Sequence, residues 1–129
     1  MTHGELDTMI NNADFNGILR KSLPAAISMQ LAKIIRKCND ELIEFNMEKQ
    51  KIIQQYSIKD KDGNPIIEPN GNVLIEEKFK KKAMDEIKII SSIPVDNSFV
   101  LPKFGFNSES FPNMTTKEAM ALLPFIKED

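Results

Sequence analysis

Apolar residues recur at Leu31, Ile35, Cys38, Leu42, Phe45, Ile52 and Tyr56, in a stretch with no Pro or Gly between Pro24 and Gly63. Steps of three and four residues put them on one face of a helix, with Lys49 the one polar break. Ala, Leu, Met, Lys, Gln, Arg and Glu fill the rest, and these are the better helix formers. The pattern predicts one long central helix over 24–57, with Pro24 in the first turn, where a missing N–H has no intrahelical partner anyway. A second apolar line is expected beside the first, through Ile27, Ile34, Ile43, Met47 and Ile53. Such a helix is roughly 50 Å long, whereas a compact chain of this size has a radius of gyration of about 14 Å. Its apolar surface therefore needs cover, either from the rest of the chain along its whole length or from a second copy. The expectation is a homo-oligomer with Ile27, Leu31, Ile34, Ile43, Met47 and Ile53 at the interface. The alternative is a break near Asn39-Asp40 or Asn46 that folds the helix back as a hairpin.

The flanking pattern is shorter in period. Thr2 and Glu5 have the capping-box spacing, predicting a first helix to about Asn11, and a short piece over 15–23 leads into the long helix. After a turn-rich segment over 59–65, Ile66-Ile67 and Val73-Leu74-Ile75 flank a Pro-Asn-Gly turn, which reads as a β-hairpin over 65–75. Pro65 and Pro69 lack the donors of a central strand, so the hairpin is placed at an edge. A second amphipathic helix is expected over 76–87, with Glu76 facing Lys80 and Glu77 facing Lys81. One further strand is expected over 88–95. Thr115 and Glu118 form another capping-box pattern, opening a short C-terminal helix with Leu122, Leu123, Phe125 and Ile126 as its apolar residues. No internal repeat, linker or low-complexity tract stands out. The fold class is α+β, helix-dominant, in a single domain over 1–129.

Composition narrows the picture. A formal net charge of −2 gives no global field toward nucleic acid or an anionic membrane. No apolar run is long enough to span a bilayer, and the N-terminus lacks a basic-then-apolar signal region. The single cysteine, Cys38, lies on the helical stripe and reads as a buried core residue. These readings suit a reducing cytoplasm.

Candidate chemistry is sparse. His3 is the sole histidine and reads as a solvated terminal side chain, so a triad, a Cys–His pair or a His-containing metal site would all rest on it. Asp60, Asp62 and Asn64 imitate the start of a calcium loop, but Pro65 stands where that loop needs Gly, and the segment reads as a turn. No phosphate-cradling Gly-rich loop and no nucleophile elbow is present. Cations cluster at Lys78, Lys80, Lys81 and Lys82, flanked by carboxylates, and again at Lys33, Arg36 and Lys37. Phe99, Phe104, Phe106 and Phe111 are interleaved with Pro102, Gly105 and Asn107, as core covering the sheet or as a contact arm.

Ser22-Leu23-Pro24 before the long helix, Lys59-Asp-Lys-Asp-Gly63 after it, and the closing Lys117-Glu-Ala-Met-Ala-Leu-Leu-Pro-Phe-Ile126 resemble a family of small bacteriophage and prophage proteins of Gram-positive hosts, a domain of unknown function. The resemblance implies viral origin, action in the host cytoplasm and an accessory role. The resulting expectation is a non-enzymatic binding protein without a cofactor. It would counter host defence by sequestering a defence protein or a nucleotide signal, with Lys78, Lys80, Lys81, Lys82, Phe99, Phe104 and Phe106 as contacts. The alternative is a chaperone or connector in virion assembly.

Overall fold

In this computed structural model, which describes residues 1–106 and 113–127, the long apolar stripe forms one unbroken helix. Five α-helices are present among the described residues: α1 (His3–Ile10), α2 (Ala13–Leu19), α3 (Ala25–Gln55), α4 (Lys80–Ser91) and α5 (Thr116–Leu122). Pro24 caps α3 from just outside, its carbonyl accepting from the amides of Ile27 and Ser28. With 31 residues, α3 is about 46 Å long and does not fold back at Asn39-Asp40 or Asn46. Both capping boxes form: Thr2 with Glu5 at α1, and Thr115 with Glu118 at α5.

The inner stripe of α3 is Ile27, Leu31, Ile34, Cys38, Leu42 and Phe45, all buried. It joins Leu6 and Ile10 of α1, Phe15 and Ile18 of α2, and Phe104, Leu122 and Phe125 in one core. α1 and α4 pack on α3 and on each other, while α2 packs against α5. Phe15 and Phe125 meet with ring centroids 5.0 Å apart. At the far end, Tyr56 is buried against Phe79, 5.3 Å between rings, and its hydroxyl donates to Glu86. The chain itself thus covers the inner face of α3 over its whole length.

The expected second apolar line does not exist as one line. Ile27 and Ile34 are buried, Ile53 is half-buried, and Ile43 and Met47 are exposed. At about 100° per residue, Ile43 lies roughly 160° around the helix from Ile27, so these residues belong to opposite faces.

The α+β assignment is overturned: the described residues hold no sheet, only isolated bridges. The 88–95 strand is absent because α4 runs on to Ser91. Buried Ala83 and half-buried Ile87 and Ile90 keep helical spacing, and that period outweighs the β-branched composition of Ile89-Ile90. The Ser91 and Ser92 hydroxyls donate back to the carbonyls of Ile87 and Ile89 at the helix end, and Pro94 follows. Because Glu77–Phe79 is a 3₁₀ turn and α4 opens only at Lys80, the expected Glu76–Lys80 and Glu77–Lys81 pairs are replaced. Glu77 meets Lys80 at 2.8 Å and Glu76 meets Lys78 at 3.8 Å.

The 65–75 hairpin is replaced by a ring. The amide of Ile58 donates to Leu74, that of Leu74 to Ile66, and that of Ile66 to Ile58. Single bridges Lys59–Pro65, Ile67–Val73 and Ser57–Ile75 complete a pseudo-threefold arrangement. It rests on an eight-residue repeat: Gly63-Asn64 and Gly71-Asn72 stand at equal offsets from Ile58 and Ile66. The two glycines turn the chain with φ of 83° and 88°. Asp60 behaves as a turn residue, its carboxylate accepting from the amides of Asp62 and Asn64.

A lysine-rimmed cleft beside the long helix

Gln30, Lys33 and Ile34 occupy one turn of α3 and face Pro102, Lys103, Phe104 and Gly105. Phe104 is fixed there by backbone pairing with the C-terminal segment. Its amide donates to the carbonyl of Phe125, its carbonyl accepts from the amide of Lys127, and it bridges Ile126 in parallel. This pairing brings Lys103 and Lys127, far apart in sequence, to the same edge. The result is a cleft of about 250 Å³ with Ile34, Pro102 and Phe104 as its apolar lining. Lys33, Lys103 and Lys127 rim it, and none of the three is in an ion pair among the described residues. A Cβ placed on Gly105 would meet nothing, so the backbone is open on that side.

The arrangement suits an anion. Three cations with no ion-pair partner among the described residues, set on low-dielectric walls, concentrate positive potential, although the whole chain is slightly acidic. Lysine is a point-charge phosphate binder, and the apolar lining can seat an organic group attached to the phosphate.

A larger cleft of about 720 Å³ lies between α1, α3 and α4, lined in part by Glu5, Asp7, Lys49 and Lys88. Its charges are mixed in sign, and its Thr8 and Ser91 hydroxyls donate to backbone carbonyls four residues back. It offers a ligand less than the smaller cleft.

The sequence-predicted site is divided by the structure. Phe104 is buried in the core beside the Gln30–Ile34 turn, Phe99 packs partly against that core, and Phe106 is 45% exposed. Phe111 lies outside the described residues. The basic run sits at the other end of α3, where Lys82 lies over the Tyr56 ring and Lys78 over the Phe79 ring. Twenty-two residues of helix separate Ile34 from Tyr56, about 33 Å. Lys78 and Lys80 are also paired with Glu76 and Glu77, and Lys81 is exposed. Ile27, Leu31 and Ile34 face the chain's own core, which leaves Ile43 and Met47 as the exposed members of the expected interface. Lys33 was visible in the sequence as part of a basic cluster; Lys103 and Lys127 were isolated lysines with no pattern to mark them.

His3 is no solvated tail. Its Nε2 lies 3.3 Å from the Glu41 carboxylate, its Nδ1 2.8 Å from the carbonyl of Ile93, and its ring stacks on Phe45. Glu41 also accepts from the amide of Asp96, so these residues clip α1, α3 and the turn after α4 together. Cys38 is fully buried, and burial pushes its thiol up to about 11. Among the described residues no cluster of three metal-ligating side chains occurs, and no helix is long and apolar enough to cross a membrane. No protein-family model, curated protein or solved structure matches the chain.

Proposed function

We propose that the protein acts by binding, and that its ligand is a small phosphorylated molecule held in the Lys33–Lys103–Lys127 cleft. The observation that carries this reading is the convergence on an apolar cleft of three lysines, from three chain segments, that have no ion-pair partner among the described residues. The volume suits a phosphate with a compact organic group rather than a long polyanion. Capture of a nucleotide signal is the specific form of this proposal, with the infected host cell as its setting if the resemblance to phage proteins holds.

Calorimetry against inorganic phosphate, nucleoside monophosphates, cyclic nucleotides and ADP-ribose tests it. Saturable, salt-sensitive heat is expected for at least one of them. Lys103→Glu and Lys127→Glu should each weaken binding by about tenfold or more, the worth of one hydrogen bond to a charged group. Circular dichroism should stay unchanged, because both side chains are exposed. Uniform absence of heat across the panel would remove the reading.

A further inference from the structure

The outer face of α3 carries its own pattern. Met29, Arg36 and Ile43 are spaced by seven residues, and so are Lys33, Asp40 and Met47. All six are exposed, with Met29 at 63%, Ile43 at 53% and Met47 at 56%. They lie about 160–240° around the helix from Ile27, opposite the buried stripe. The seven-residue spacing keeps them in one strip along the helix, three apolar (Met29, Ile43, Met47) and three charged (Lys33, Arg36, Asp40), which can serve as a seam with another helix. Nothing among the described residues occupies this seam, and neither Arg36 nor Asp40 has an ion-pair partner among them.

Charge along the seam selects its occupant. On the outer half of the helix the N-terminal stretch bears Lys33, Arg36 and Lys37, and the following stretch bears Asp40 and Glu44, all exposed. A second α3 laid parallel and in register would set Arg36 on Arg36 and Asp40 on Asp40. Laid antiparallel about residue 38, it sets each residue against the one whose number completes 76. Met29 then meets Met47 of the second copy, Arg36 meets Asp40, and the aliphatic stem of Lys33 lies over Ile43. Each contact occurs twice, with apolar pairs toward the ends and opposite charges near the middle. We infer that the protein forms an antiparallel dimer through this face. The occupant is a second copy because the surface is self-complementary under a twofold axis, the requirement of a symmetric dimer.

The 129-residue chain should sediment at twice its 14.7 kDa. Met47→Glu should yield monomer with unchanged helical circular dichroism. Arg36→Asp should also yield monomer, since the introduced carboxylate would then face Asp40 of the second copy. The double variant Arg36→Asp, Asp40→Arg should regain the dimer, because the opposite charges again meet with their sides exchanged. Under mild oxidation, a mixture of Met29→Cys and Met47→Cys chains should cross-link, and neither variant should do so alone. These variants spare Lys33, which borders the cleft as well. A wild-type chain monomeric at every concentration would overturn the inference. So would a dimer that survives Met47→Glu, or a charge exchange that fails to restore pairing.

Discussion

Gly4 shows how one absent methyl group positions a helix. A Cβ there would stand 2.8 Å from Cβ of Ser91 and 2.9 Å from its carbonyl oxygen, so α1 and α4 approach only because the residue is glycine. In an open helix Gly→Ala gains about 1 kcal/mol. Here the clash with backbone decides the sign, and Gly4→Ala should lose about 1–3 kcal/mol of stability in denaturant titration. Glu118 sets an acid limit. The Thr115 amide, then the Thr115 hydroxyl and Lys21 at 3.4 Å, hold its carboxyl below the ordinary carboxylate range against the opposing effect of burial. A depressed folded-state value means the contribution is complete above the unfolded range and is lost as pH falls through the folded one. Stability should therefore decline on acidification, and Glu118→Gln, which keeps a capping amide, should flatten that decline. Cys38 should resist alkylation until the chain unfolds, since little thiolate forms at neutral pH and no surface is offered.

Among the elements, α3 was the most legible, because a period of 3.6 sustained over eight turns outvotes any local ambiguity. Its two faces should respond to substitution very differently. Leu42→Ala, at a fully buried position, should cost about 2–5 kcal/mol. Met47→Glu should leave the stability of a single chain within about 0.5 kcal/mol. The hairpin and the strand misread for separable reasons. Ile89-Ile90 resembled a strand by composition, yet Ile90 continues the inward face set by Ala83 and Ile87. Ile66-Ile67 and Val73-Leu74-Ile75 were paired with each other alone because the third participant, Ile58, fell between the helix read over 24–57 and the turn read over 59–65 and was given to neither. Two and a half copies of an eight-residue unit, with only Gly and Asn in common at their turns, give little self-similarity to detect.

For the molecule as a whole, the sequence showed where one long surface lay but not how distant segments meet on it. Capping boxes, the burial of Cys38 and most of the inner stripe are local and were readable, although Ile27 and Ile34 of that stripe were set on a second line. The cleft depends on Phe104 pairing with Ile126, and the His3 clip on contacts to Glu41 and Ile93; such separations leave no spacing to read. The ring of Ile58, Ile66 and Leu74 has one more consequence. A hairpin frays from its open end, so its amides exchange with solvent in graded order. A closed cycle of three hydrogen bonds has no end, and each residue in it both donates and accepts. Their three amides should exchange with deuterium at closely matched rates, as one opening unit. Ile66→Pro, which removes one donor of the cycle, should speed exchange at the amides of Ile58 and Leu74 together.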